Sequence, residues 1–153
     1  MKIVIAAVYK RLNPHEQAWI DEYLTRLRSF VSVEWFHIKE SGSDQSSSKE
    51  KIWTQLQKRI TPETHICLLD EKGTHMSSMD LHNYIEKREL HACKQLLFVL
   101  GGAYGHPEQI QSLAHQKLSL SKATLAHRIA MLVLSEQLYR AYSIKHNLPY
   151  HHD

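Results

Sequence analysis

Three of the chain's five glycines fall within five residues, Gly101-Gly102-Ala103-Tyr104-Gly105. They follow the short apolar run Leu96-Leu97-Phe98-Val99-Leu100, which reads as a buried strand. Glycine at a strand exit lets backbone N–H and C=O groups approach a ligand with no Cβ in the way. In an open α/β sheet, ligands settle beyond the carboxyl ends of the strands. The run is neither G-x-G-x-x-G nor a P-loop, which needs a Lys-Ser/Thr ending; a tight turn explains it as readily as a binding loop. A second candidate is Leu118-Ser119-Leu120-Ser121-Lys122-Ala123-Thr124-Leu125, a strand passing into a polar loop. Its backbone offers the donor and acceptor that an adenine edge requires. A hydroxyl-rich connection in which Thr124 caps the next helix is the simpler reading. Leu69-Asp70, at the end of another apolar run, could add an apolar face to the same ligand. The third candidate is the tail, Asn147-Leu148-Pro149-Tyr150-His151-His152-Asp153. Its Tyr and His side chains can stack, hydrogen-bond and accept a proton near neutral pH, although termini ordinarily fray.

Other chemistries find less support. His65-x-Cys67 and His91-x-Cys93 place soft ligands two residues apart, but zinc sites use C-x-x-C or H-x₃₋₅-H spacing; no metal is expected. No G-x-S-x-G elbow is present, and neither cysteine sits in a loop suited to a nucleophile. Glu86-Lys87-Arg88-Glu89 and Lys10-Arg11 read as solvated patches.

Strand-like and helix-like segments alternate around these candidates. Residues 2–8, 31–38, 65–69, 96–100 and 117–120 read as strands. Asn13, Pro14 and Glu16 signal the start of a helix over residues 14–28, striped by Trp19, Ile20, Tyr23, Leu24 and Leu27. Ser47-x-x-Glu50 resembles a capping box for a second helix carrying Ile52, Leu56 and Ile60. Ser77 or Ser78 caps a third helix reaching Leu90, a short one covers 107–115, and the last covers 127–145. The polar stretch KESGSDQSSS, residues 39–48, reads as a mobile connection. This is an α/β pattern, an open and mainly parallel sheet flanked by helices. The last helix is apolar on every side over Ile129-Ala130-Met131-Leu132-Val133-Leu134. Such a helix must be covered all round, by a second subunit, by an unusual topology, or within one large core.

The chain's 153 residues suit one domain with one core. Hydrophobic residues at 42% and charged residues at 23% exclude wholesale disorder. Apolar runs under ten residues are far short of a membrane span, and the amino terminus enters a strand directly, without a signal peptide's h-region. Two cysteines suit a reducing cytoplasm. Net charge +3 with 12 histidines allows an anionic partner without demanding one.

Taken in order, Gly101-Gly102-Ala103-Tyr104-Gly105, Leu118-Ser119-Leu120-Ser121-Lys122-Ala123-Thr124, Ser135-Glu136-Gln137-Leu138-Tyr139-Arg140-Ala141 and Leu148-Pro149-Tyr150-His151 closely resemble the ribosomal RNA large subunit methyltransferase H family of the SPOUT superfamily. The resemblance extends over essentially the whole chain, including Leu68-Leu69-Asp70. It implies a homodimer with a trefoil knot at the carboxyl-terminal end, binding S-adenosylmethionine there. It also implies methylation of N3 of a pseudouridine in a large-subunit rRNA stem-loop on the assembled ribosome. Carried over by position, the cofactor-binding residues are Leu69, Gly101, Gly102, Gly105, Leu120, Ser121, Lys122, Ala123, Thr124 and Leu125. Tyr150, His151 and His127 are the candidates for base contact and proton handling. The chain departs from the family at Ala103, where proline is common. It departs again at the start of the last helix, where a Pro-His pair and an arginine four residues beyond are replaced by Ala126, His127 and Met131. Arg128 could supply the missing charge. A SPOUT enzyme with another RNA target and a ribosome-associated binding protein without turnover are the competing readings.

Overall fold

The computed structural model describes residues 1–39 and 44–152. Residues 2–8 extend by one to form β1 (Lys2–Tyr9), where every second side chain turns to the same face of the sheet. Ile3, Ile5 and Ala7 join one buried cluster; Val4, Ala6 and Val8 join the other. α1 (Pro14–Leu27) starts as expected. Asn13 Oδ1 accepts from the Glu16 N–H at 2.9 Å, and Glu16 Oε2 accepts from the Asn13 N–H at 2.8 Å. β2 (Ser32–Lys39) follows.

α2 (Gln45–Leu56) corrects the sequence reading. Its cap is Asp44, whose carboxylate accepts from the Ser47 N–H, so Ser47 lies in the first turn and is not the cap. A helix that starts after Asp44 places Ser48, Ile52 and Leu56 on its buried face. Ile60 is outside the helix, beyond a single tight turn at Gln57–Arg59. Of the polar stretch 39–48, residues 40–43 lie outside the described residues, and residues 45–48 are helical.

β3 (Thr64–His75) also runs further than expected, past Asp70. Its register with β5 (Gln116–Ser119) shifts between Leu69 and Thr74, both of which pair with Leu118. Gly73 makes this possible, since a Cβ there would stand 2.7 Å from the Lys117 carbonyl carbon. α3 (Ser78–Leu90) is capped by Ser77 in a reciprocal box with Asp80. β4 (Gln95–Leu100), α4 (Glu108–Leu113) and α5 (His127–Lys145) complete the chain.

The five strands are all parallel, in the order β2-β1-β4-β3-β5. Each crossover is a helix, as parallel pairing requires. α1, α3 and α5 cover the face bearing Ile5 and Phe98; α2 and α4 cover the face bearing Val4 and Val99. The chain therefore leaves β3 toward one face and β4 toward the other, and their carboxyl ends diverge to open a crevice. α5 lies between α1 and α3 and buries Met131, Leu134, Leu138 and Tyr142. Its opposite side is less covered: Leu132 and Val133 are half-buried, and Ile129 is 49% exposed. No helix among the described residues is long and apolar enough to cross a membrane.

Interior histidines make the fold acid-sensitive. Burial, Arg88 and His115 push the His65 imidazole down to about 4. Burial likewise lowers His106, against the opposing pull of the Leu69 carbonyl and Asp70. A ring that resists protonation when folded stabilises fully above its unfolded value of about 6.5, and that contribution is lost as pH falls. Urea midpoints should therefore decline from pH 6.5 toward 4, and His65→Leu should flatten the decline. An unchanged slope in that variant would remove His65 as a cause.

Candidate active site

The crevice is a cavity of about 600 Å³ at the carboxyl ends of β4 and β5 and beside the register shift of β3 after Leu69, closed on one side by the first turn of α5. Three bends form it. The first carries β3 onward from Leu69 through Asp70 and Glu71. The second is the Gly101–105 turn, tied by the Gly105 N–H donating to the Gly102 carbonyl at 2.9 Å. The third is the 120–125 loop leaving β5.

Short hydrogen bonds brace the third bend. Ser119 Oγ donates to the Ser121 carbonyl at 2.8 Å, and Ser121 Oγ accepts from the Ala123 N–H at 3.0 Å. Thr124 Oγ1 donates to Glu71 Oε2 at 3.1 Å, linking the loop to the extension of β3. Thr124 thus joins two walls of the cavity and does not cap α5, whose first turn has no side-chain cap. Gly101 leaves little room for a side chain: a Cβ would meet the Gly105 carbonyl carbon at 3.1 Å and His106 Cε1 at 3.2 Å.

Of the sequence-derived candidates, Leu69, Gly101, Gly102, Gly105, Leu120, Ser121, Ala123, Thr124 and Leu125 all line the cavity, as does His127. Lys122 is exposed and does not line it. Tyr150 and His151 lie elsewhere in the chain. Tyr150 Oη donates to Glu136 Oε1 at 3.0 Å, Arg140 sits 4.6 Å over its ring, and Tyr139 meets it edge-on at 4.8 Å. Arg140 also donates to His151 Nδ1 at 3.3 Å. Burial, with contacts to Tyr23 and Glu136, raises the Tyr150 phenol well above its ordinary value. Glu136 is nine residues along α5 from His127, or about 14 Å of helix, so the tail does not reach the cavity within one chain. Arg128 pairs with Glu16 at 3.1 Å across to α1 and does not line the cavity; Met131 is buried.

The sequence reading missed several lining residues. Lys49 comes from α2 on the far face, and no motif announces it. His106, directly after the glycine turn, is 7% exposed. Its Nε2–H donates to the Leu69 carbonyl at 2.8 Å, clasping the first bend to the second, while Nδ1 has no hydrogen-bond partner. No group of three or more potential metal ligands occurs among the described residues. Cys67 is buried in β3, its thiol pushed up to about 12.

The family model described as "Predicted SPOUT methyltransferase" matches residues 1–151. The chain is 33% identical over 157 residues to the "Ribosomal RNA large subunit methyltransferase H" of Bacteroides fragilis and 36% identical to that of Parabacteroides distasonis, with 100% of each chain covered. A more distant protein of the same name, from Citrifermentans bemidjiense, is 32% identical over 154 residues, again with full coverage. Among solved structures, a probable methylase family protein from Haemophilus influenzae Rd KW20 shares the fold with a TM-score of 0.58 at 14% identity, covering 95% of this chain and 66% of that one. A sheet whose carboxyl edge gathers three main-chain bends, together with full-length similarity at this level, places the chain in the ribosomal RNA large subunit methyltransferase H family of SPOUT methyltransferases.

Proposed function

We propose that this protein methylates N3 of a pseudouridine in a large-subunit (23S-type) rRNA stem-loop on the assembled ribosome, with S-adenosylmethionine as methyl donor. In this reading it is a cytoplasmic homodimer, each chain one domain over residues 1–153 with a carboxyl-terminal trefoil knot. The convergence of three main-chain bends on one cavity carries the reading. Its volume of about 600 Å³ falls in the range of small-molecule sites. Leu69, Leu118 and Leu120 supply apolar wall, the bends supply backbone donors and acceptors, and Gly101 keeps one wall free of a side chain. Those features suit an adenosine with a charged aliphatic arm.

When bound, S-adenosylmethionine supplies a methyl group on a positively charged sulfur, which needs no metal to activate it. The protein's own task is to hold the target base in line with that methyl group and to receive the proton that N3 loses. His127, brought to the cavity wall by α5, is the proton-handling candidate that lies at this cavity within one chain. Tyr150 and His151 act from a second copy. The flank of α5 at exposed Ile129 and half-buried Val133 is the face that such a copy would cover, bringing its tail to this cavity. In the folded state the Tyr150 phenol stays protonated at neutral pH, which fits it for contacting the base and leaves proton transfer to the histidines.

Titration with S-adenosylmethionine tests the cavity, and mapping tritiated methyl groups into rRNA tests the target. His151→Ala and Tyr150→Phe should slow single-turnover methylation by at least tenfold; normal rates would remove both from the site. Activity should require the ribosome, since modest charge and a small surface recognise naked RNA poorly. Equal rates on an isolated hairpin would refute that dependence. Pulling the folded chain from its ends should leave a shortened, tightened tangle, and extension to full contour length would exclude the knot. The displacement of the family's arginine by buried Met131, with Arg128 held by Glu16, favours one second reading, a different rRNA nucleotide as target; the same map decides it.

A further inference from the structure

One register row crosses the whole sheet: His37 on β2, Ala7 on β1, Leu100 on β4, Leu69 on β3 and Leu118 on β5. Its right half forms the floor of the cavity. Its left half ends in an aromatic ladder. Trp35 Nε1–H donates to Tyr9 Oη at 3.1 Å, and the Tyr9 and His37 rings stack at 3.9 Å and 18°. His37 Nε2–H donates to the Tyr9 carbonyl at 2.8 Å, which fixes the imidazole's orientation. Tyr9 and Trp35 are half-buried against the core, but His37 is exposed. A ladder serving only to seal the core would turn its last ring inward.

Three cations lie close to the ladder in sequence and register. Lys39 pairs in register with Tyr9, and Lys10 and Arg11 follow Tyr9 directly. All three are exposed, and none belongs to an ion pair among the described residues. A flat, immobilised aromatic face beside unpaired positive charge matches an unpaired nucleotide, which offers a base to stack and a phosphate to neutralise. Strand spacing puts the His37 backbone about 10 Å from Leu100.

We propose that the Trp35–Tyr9–His37 ladder, with Lys10, Arg11 and Lys39, is a stacking platform for an unpaired RNA base flanking the nucleotide held in the cavity. The platform rests on the rRNA-methyltransferase reading for its ligand. It predicts a role in substrate affinity that is separate from the cofactor and from the chemical step.

The test uses the full-length protein and ribosomes lacking the modification. His37→Ala should raise KM for ribosomes about tenfold, within the range of one lost stacking contact, with kcat and the S-adenosylmethionine dissociation constant unchanged. His37→Phe should keep the wild-type KM, because it retains a stacking face. Replacing Lys10, Arg11 and Lys39 together by alanine should weaken binding and flatten its salt dependence. An unchanged KM in His37→Ala, or a His37→Phe variant as poor as the alanine, would overturn the platform. Co-sedimentation with ribosomes reads binding without turnover. If the wild type co-sediments, His37→Ala does not, and neither methylates rRNA, the platform stands and the methylation reading falls. If both methylate and co-sediment alike, the platform falls alone. Loss of ribosome binding in His37→Ala with undiminished binding to the protein-free rRNA would assign the surface to a ribosomal protein and overturn it.

Discussion

Gly73→Ala is expected to destabilise the protein by about 1–3 kcal/mol, the cost of forcing atoms into a packed interior, and to weaken S-adenosylmethionine binding at least tenfold. The added methyl would stand 2.7 Å from the Lys117 carbonyl carbon and 2.8 Å from the Leu118 nitrogen and the Lys117 oxygen. All three are backbone atoms of β5, so no side chain can swing aside. Relief requires β5 to move away from β3, and β5 leads straight into the 120–125 loop of the cavity. Stability and binding should therefore fall together although residue 73 does not line the site. Urea denaturation and calorimetric titration measure the two effects. A variant with wild-type stability would show that the strands part freely, and would break the link between the β3 extension and the site.

Gly101→Ala should separate what Gly73→Ala couples. Here the new Cβ would meet the Gly105 carbonyl carbon at 3.1 Å and its oxygen at 3.2 Å, tight contacts that a shift of a few tenths of an ångström relieves. The glycine turn can give by that much because it lies at the edge of the cavity, outside the ladder of β-sheet hydrogen bonds. The fold should survive with a loss of about 1 kcal/mol, at the low end of overpacking costs. Binding should suffer far more, by tenfold or greater, since the turn shifts and the methyl group occupies space beside His106. His106→Leu offers a graded comparison: it keeps the bulk of the ring but loses the donor to the Leu69 carbonyl. It should weaken binding less than Gly101→Ala, and equal affinity to wild type would show that the clasp between the first two bends is dispensable.

Much of this architecture is visible in local patterns. The capping box at Asn13 and Glu16, the alternating faces of β1 and the extent of α5 follow from residues close in sequence, because caps and periodicity act over a turn or two. The two candidate loops at residues 101–105 and 118–125 are legible for a related reason. Glycine and hydroxyl residues at strand exits mark where a backbone is to be approached. The tail was legible as chemistry but not as position, since the residues of a terminus carry no record of where its helix points. α2 begins three residues earlier than Ser47-x-x-Glu50 suggests, because Asp44 in the same polar stretch caps it and Ser48 and Ile52 fall on the buried face.

By itself, the sequence determined the order of strands and helices, most of their bounds and the family to which the chain belongs, all of which rest on short-range order or on identity along the whole length. Only the tertiary structure decided that β3 continues beyond Asp70, that His106 ties two bends together, that Lys49 arrives from the opposite face, and that Tyr150 stays with Glu136 and Arg140. Each of these depends on contacts between segments ten or more residues apart. Their geometry is set by the parallel register and by close backbone approach at Gly73, and neither leaves a local signature in the order of the amino acids.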